Sequence, residues 1–420
     1  MVGLNTQSSN LRRLITFIFS VVLFITFGWG INFYVAANGG GNKFLIQWLA
    51  VRTFAQEDIS PYSSVVSSTA EEMAYGHIAQ AGEPRLMFSS PLYSVIVILP
   101  FALIRDSQIA WMVWMVLLEI ALVANAGIAL RLTGWKPAVW LLFLMIVFSL
   151  LGFHNFQALA SGSVIVLGSL FVLSSFLAIR SGRYELAGIL LALATIQPRA
   201  VLLVILFVLF WAISKRLWAI VVWFFAGVAF LFVLGLFFIP DWPVQYARII
   251  LNFKEYYTVI TPVAVFSSEL PGMGRQLGWV LSVLMTVILI FEWLAARTRD
   301  FSWFLWTASL TLVVSQWVGI PADLEDFVLL LLPVVLVLAV WDQRFERLGK
   351  WMAGLSLVVL LAGLWGIFAS IFPNTGEIQQ SRVFLFPLPF FLFIGLYWVR
   401  WWAIRPQKDY VEELKSVERF

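Results

Sequence analysis

Long uncharged apolar runs alternate with short polar breaks along most of this chain. The runs cover residues 14–35, 91–104, 108–130, 137–153, 164–179, 186–197, 199–214, 217–239, 277–296, 302–319, 327–341, 351–372 and 383–403. A run of about 20 apolar residues, at roughly 1.5 Å per residue, crosses the hydrocarbon of a bilayer as a helix. The pattern predicts an all-α, polytopic integral membrane protein of about twelve or thirteen helices. It predicts one membrane domain over 1–403 and a charged tail over 404–420. Two polar stretches are much longer than the rest, 38–88 and 241–276. Run 14–35 is longer than the apolar core of a signal peptide and reads as an uncleaved first helix.

The charged turns give the orientation. Arg12-Arg13, Arg131/Lys136, Arg180/Arg183, Lys215/Arg216, Arg297/Arg299 and Arg344/Arg347/Lys350 are placed inside by the positive-inside rule. The N-terminus and the tail from Arg405 are then cytoplasmic, and 38–88 and 241–276 lie outside. With these turns inside, one run between 87 and 214 does not cross. The short run 91–104 and the pair 186–197/199–214, broken at Pro198, are the ones expected to stop short, as is tolerated where a helix lines a cavity.

Within the first loop, 43–56 is too short to span. Phe44, Trp48, Leu49 and Phe54 suggest a helix at the membrane surface, with Lys43 and Gln47 on one polar ridge and Arg52 and Gln56 on another. Ser60-Pro61-Tyr62 breaks it. A second short helix is expected over 70–79, with a turn at 80–84.

Composition agrees. The chain is 61% hydrophobic and 12% charged, against about 25% charged in soluble domains, and a plasma-membrane location is expected. The net charge of +4 resides at helix ends and does not point to nucleic acid. The absence of cysteine excludes disulfides, thiolate metal sites and cysteine nucleophiles. His77 and His154 stand alone, so no metal site is expected. There is no phosphate-cradling glycine loop of Walker type. The lack of an internal repeat argues against a transporter.

Candidate chemistry begins with the first-loop acids Glu57, Asp58, Glu71, Glu72 and Glu83, any of which could act as a general base or be a solvated loop acid. Lys43 is a point charge for a phosphate or a lysine snorkelling from a surface helix. Glu119, with Asn125, is an ionisable group inside a span. Gln157, Ser161 and Ser163 follow His154-Asn155 at a helix end and could line a sugar pocket. Gln197-Pro198-Arg199 interrupts an apolar stretch, where Arg199 could hold a lipid phosphate. Arg248, Lys254 and Arg275 are further phosphate candidates. Asp323, Glu325 and Asp326 read as a helix cap.

A set of short motifs then carries a resemblance: Gly40-Gly41-Asn42-Lys43-Phe44-Leu45, Trp48-Leu49-Ala50-Val51-Arg52, Ser60-Pro61-Tyr62-Ser63, and Phe88-Ser89-Ser90-Pro91-Leu92-Tyr93. Leu99-Pro100-Phe101-Ala102-Leu103, the segment 181–188, and 190–198 ending in Gln197-Pro198 complete it. Over roughly residues 14–275 the chain resembles membrane glycosyltransferases of the C superfamily, family 87, and is similar to polyprenol-phosphate-mannose-dependent mannosyltransferases. The resemblance implies an inverting transfer of a mannose-type hexose from a polyprenyl-phosphate donor to a lipid or glycan acceptor at the outer face. No nucleotide sugar or cofactor is implied. The partners are membrane lipid and the lipid-linked sugar. Implied donor and phosphate contacts are Arg199, Gln197, Arg52 and Arg275, and implied pocket residues are Asn42, Tyr62, Tyr93, Ser163 and Glu119.

Four positions depart from the family pattern. Lys43 stands where the base aspartate is usual, Ser90 where tyrosine precedes the proline, Ser163 where glutamine follows the glycine, and Gln197 where lysine precedes the proline. Residues 39–56 contain no acid, so the nearest replacement base is Asp58. The alternative is a non-catalytic relative that binds a polyprenyl-phosphate lipid or a partner enzyme. A polar cavity for a phosphate-bearing lipid is the firmer expectation.

Overall fold

The structure is a computed structural model that describes Gly30, Asn32, 41–80, Glu83, 85–251, 260–375 and 382–404. The expected first helix, both termini and Lys254 lie outside the described residues. The chain is an all-α polytopic membrane protein. Among the described residues the only β-type pairing is a bridge between Ile260 and Ala322.

Helices α1 (Asn42–Glu57) and α2 (Ser64–Tyr75) form the first loop. After a 3₁₀ turn come α3 (Val95–Ala102), α4 (Ser107–Thr133), α5 (Val139–Leu151), α6 (Phe153–Ser161) and α7 (Ile165–Arg180). Next are α8 (Tyr184–Ala194), α9 (Pro198–Ser214), α10 (Trp218–Phe238), α11 (Trp242–Leu251) and α12 (Pro262–Glu269). The last are α13 (Gly274–Ala296), α14 (Phe301–Val314), a 3₁₀ segment Leu324–Leu330 leading into α15 (Leu331–Thr375), α16 (Pro387–Trp398) and α17 (Arg400–Ile404).

The apolar runs are helical as expected, but few are full spans. Among the described residues five helices are long and apolar enough to cross: Ser107–Thr133, Trp218–Phe238, Gly274–Ala296, Leu324–Phe345 and Arg347–Ile371. A sixth is α5 with α6, which bend by 45° at Gly152. Hydropathy alone does not register that bend. Gly152 leaves the helix, and the Asn155 amide donates to the Phe148 carbonyl at 3.2 Å. The segment Leu92–Ala102 and helices α7, α8 and α9 are shorter apolar helices. An 11-residue helix is about 16 Å long, half the hydrocarbon thickness.

Helix α15 is not straight. A Cβ on Gly349 would collide with the carbonyl oxygen of Trp341, eight residues back and about 12 Å away in a straight helix. The backbone reverses there, at the basic turn, and separates the last two spans. The first of them, Leu324–Phe345, buries the whole of its apolar window, whereas Trp218–Phe238, Gly274–Ala296 and Arg347–Ile371 bury 22–28% of theirs. The latter three face lipid. Leu324–Phe345 is the central post of the bundle, and its N-terminal end forms the floor of the site.

Helix α1 is more embedded than a surface helix. Phe44, Ile46, Trp48, Leu49, Ala50 and Val51 are buried. The Trp48 indole donates to the Ile104 carbonyl at 3.2 Å, and Arg52 donates to the Ala102 carbonyl at 3.0 Å. Arg52 therefore holds the C-terminal end of α3, where a cation is favoured by the helix dipole. The second loop helix begins at Ser64 rather than 70. Ser63 caps it by accepting from the Val65 amide, and Gly76, at φ 79°, ends it. Ser and Gly capping outweighs the weak apolar pattern of this segment.

Candidate active site

Two glycines set the start of α1. Gly41 has φ 95°, its amide donates to the Ala160 carbonyl at 2.8 Å, and its Cα lies against the Trp111 ring. Gly162, at φ 77°, lies against the same ring and against Phe44. Left-handed backbone with no room for a Cβ requires glycine at both. The packing fixes Lys43, the second residue of α1, beside the α6–α7 junction.

There the chain encloses a cavity of about 370 Å³, within the roughly 300–1,000 Å³ of small-molecule sites. It is walled by α1 (Asn42, Lys43, Gln47), the α6–α7 junction (Gln157, Ser161, Ser163), the α8–α9 break (Gln197, Arg199) and the stretch 85–90. Asp323, Leu324 and Glu325 form its floor. Short breaks between helices, where backbone and side-chain polarity is unavoidable, thus converge on one space, as is tolerated at a cavity.

The charges are paired across it. The Lys43 ammonium donates to Glu325 Oε2 at 2.9 Å and to Asp323 Oδ2 at 3.1 Å. Arg199 donates to the same Asp323 oxygen at 2.6 Å, and its Nη2 lies 3.7 Å from Asp326 Oδ2. Asp323 also caps the 3₁₀ segment, and its amide donates to Asp326 Oδ2 at 2.9 Å. Burial alone would lower the Lys43 pKa, but the carboxylates of Asp323 and Glu325 outweigh it and hold the ammonium above the lysine range. Burial alone would raise Asp323, but Arg199 and Lys43 outweigh it and hold the carboxyl well below the aspartate range. Both groups are charged across the physiological range.

The remaining expected residues separate cleanly. Asn42, Lys43, Ser163, Gln197 and Arg199 line the cavity. Tyr62 stands behind the wall, its hydroxyl donating to the Ser90 carbonyl at 2.9 Å. Burial, followed by the neighbouring Tyr246 and Tyr93, keeps Tyr62 protonated. The Tyr93 hydroxyl donates to the Thr195 carbonyl at 3.0 Å and braces the end of α8. Glu119 is half-buried on α4 beside Asn32 and does not line the cavity. Arg275 and Arg248 are exposed and also lie outside it.

Asp58 is exposed at the far end of α1 with a left-handed backbone, φ 57°. Fifteen residues of helix put it about 22 Å from Lys43, so it does not reach the cavity. Glu71 is buried and accepts from the amides of Ala79 and Leu86 at 3.0 and 3.2 Å. It organises the loop. The acids that do face Lys43 come from 280 residues further on. Their capping role was legible in the sequence, and their pairing was not. One signal was available: three acids at the start of a buried apolar helix need cations, and Arg199 interrupts an apolar stretch.

The model of glycosyltransferase family 87 matches residues 88–321, more than half the chain. The chain belongs to glycosyltransferase family 87. No curated protein and no solved structure matches it. The match is narrower than the resemblance drawn from the motifs at its start, since the loop carrying Lys43 precedes it. It takes in the α6–α7 junction and Arg199 and ends two residues before Asp323. In this family 87 member, both partners of Arg199 in the ion cluster and both carboxylate partners of Lys43 thus come from beyond the matched segment.

Proposed function

We propose that this family 87 protein transfers a hexose, of mannose type, from a polyprenyl-phosphate donor to a hydroxyl acceptor at the outer face of the plasma membrane. The observation that carries the reading is the meeting of Lys43 and Arg199 with Asp323 and Glu325 in one cavity, at 2.6–3.1 Å, at the end of the buried central helix. Arg199 and Lys43 are the phosphate contacts. Gln157, Ser161, Ser163 and Gln197 supply hydrogen bonds for a sugar.

In this reading the acceptor oxygen attacks the anomeric carbon as the bond from that carbon to the phosphate oxygen breaks. The acceptor proton passes to a carboxylate, and polyprenyl phosphate leaves with one more negative charge than it had in the donor. That added charge develops beside two cations, so their attraction grows toward the transition state. Glu325 is the proposed base. Asp323 is tied to two cations and is a poor proton acceptor, whereas Glu325 pairs with Lys43 alone. When the phosphate draws Lys43 away, Glu325 loses its ion-pair partner and its carboxylate is free to take the acceptor proton.

Purified protein in proteoliposomes, supplied with radiolabelled polyprenyl-phosphate mannose and outer-leaflet acceptors, tests this. Glu325→Gln is expected to cut transfer about a hundredfold or more while donor is still bound. Arg199→Ala is expected to weaken donor binding, and Asp58→Asn to change neither. Full transfer by Glu325→Gln would remove the base assignment.

A second reading rests on one feature: every carboxylate facing Lys43 is already ion-paired. A non-catalytic relative that binds the lipid-linked sugar, alone or for a partner enzyme, would retain such a locked cluster. Donor that is bound by the wild-type protein and never consumed would favour it.

A further inference from the structure

A second cavity lies at the opposite end of the helices that wall the first. Helix α7 runs from Ser163 at the first cavity to Arg180 at the second, and α9 runs from Arg199 to Lys215. At roughly 1.5 Å per residue these 16- and 17-residue helices are about 24 and 25 Å long, close to one hydrocarbon thickness. The second cavity measures about 510 Å³.

Cations predominate in its lining. Arg180, Lys215 and Arg299 line it, and Asp300 is the one acid among its lining residues. That carboxylate is engaged as a helix cap, accepting from the Trp303 amide at 3.4 Å. Arg180 gives hydrogen bonds to the carbonyls of Arg131 and Leu132, and Lys215 gives one to the Thr298 carbonyl at 2.9 Å. No carboxylate pairs with any of these three cations among the described residues. Trp211, also lining the cavity, is buried, and its indole N–H has no hydrogen-bond partner there. In the first cavity, by contrast, Lys43 and Arg199 already hold carboxylates.

The rim is apolar. Leu186, Ile213 and Trp218 flank the lining residues on α8, α9 and the start of α10, and are 41%, 46% and 55% exposed. An anionic group that enters here meets three cations, while any chain attached to it meets hydrocarbon. Basic pockets between transmembrane helices hold lipid head groups in this way, and the indole and phenol rings of Trp211, Trp402 and Tyr184 suit the head-group level.

We propose that this cavity is a binding site for the phosphate of an anionic membrane lipid, in the leaflet opposite the one served by the first cavity. By the positive-inside rule that leaflet is the cytoplasmic one. The site is separate from transfer: a lipid held here ties the ends of α4, α7, α9 and α14 together and does not touch the reacting groups.

Native mass spectrometry of the full chain, extracted from nanodiscs of phosphatidylcholine with and without phosphatidylglycerol, tests the proposal. Wild-type protein is expected to retain phosphatidylglycerol in preference to phosphatidylcholine. In Lys215→Gln/Arg299→Gln the retention is expected to fall about fivefold for each cation removed, and Lys215→Arg/Arg299→Lys is expected to keep it. Arg347→Gln/Lys350→Gln removes two exposed cations outside the cavity lining and is expected to keep it as well. Undiminished retention by the first double variant overturns the proposal. Equal loss in the Arg347/Lys350 control overturns it too, by showing attraction to bulk surface charge. If inorganic phosphate at millimolar concentration displaces the lipid, the cavity takes free phosphate and the lipid assignment fails. Should the double variant not fold, Arg299→Gln alone carries the test, since that guanidinium only overlies the Trp303 ring, at 5.7 Å.

Discussion

Lys43 carries the most information of any residue in this chain. Its ammonium occupies a position where family 87 resemblance implies an acid, and it is held by two acids from the far end of the sequence. Lys43→Asp would therefore place a fourth carboxylate beside Asp323, Glu325 and Asp326, and it is expected to lower thermal stability and not to create turnover. Lys43→Asp/Asp323→Lys is expected to recover part of the loss, with a coupling of about 1–3 kcal/mol between the two sites in a double-mutant cycle of unfolding free energies. Asp323→Asn alone leaves two partly buried cations short of a partner and is expected to cost about 2–3 kcal/mol, below the full cost for a dry pair because each side chain keeps some solvent contact. The pH dependence has a defined sign. Asp323 is held below its ordinary range, so its contribution is complete above roughly pH 4 and is lost as pH falls through its lower folded value. Lys43 is held above its range, so its contribution is complete below roughly pH 10 and is lost as pH rises through its higher folded value. Thermal unfolding of the wild-type protein is expected to show this pair contributing a plateau between those limits, and the plateau contribution is expected to be absent in Asp323→Asn.

At the scale of elements, small residues let helices approach closely enough to bring their breaks together. Helices α8 and α10 meet backbone on backbone: a Cβ on Gly188 would lie 2.5 Å from the Ile220 carbonyl oxygen and 2.8 Å from the Phe224 amide nitrogen. Neither is the flexible end of a side chain, so the helices must part to admit it. Gly188→Ala is expected to destabilise by about 1–3 kcal/mol, as overpacking does, measured by thermal unfolding in detergent. It is also expected to weaken donor binding, because α8 leads directly into Gln197 and Arg199. Apolar periodicity located these helices within a few residues. It placed the reversal at Gly349, which falls in the basic turn between runs 327–341 and 351–372, but it did not locate the bend at Gly152, which leaves no mark in hydropathy.

For the whole molecule, the order is two polar cavities at the two ends of one bundle, around a buried central helix. The first contains carboxylates that pair with Lys43 and Arg199, and the second contains cations without carboxylate partners among the described residues. This arrangement predicts opposite faces for the two ends, and the cysteine-free chain makes the test direct. Glu57→Cys, exposed at the end of α1, is expected to react with a membrane-impermeant maleimide in intact cells. Arg183→Cys, exposed between α7 and α8, is expected to react only after permeabilisation. Labelling of both from one side would refute the orientation.

Sequence alone determined the class, the membrane habit and about half of the site. Long apolar runs cannot be soluble, and Asn42, Lys43, Ser163, Gln197 and Arg199 stood at breaks in those runs, where polar groups mark a cavity. Tertiary structure alone decided which acids complete the site. The local sequence around Lys43 contains none, and the nearest, Asp58, is carried about 22 Å away by a helix that rises roughly 1.5 Å per residue. Asp323 and Glu325, distant in sequence, are brought to Lys43 by the burial of the central helix, because a charged helix start can be buried only where opposite charges meet it.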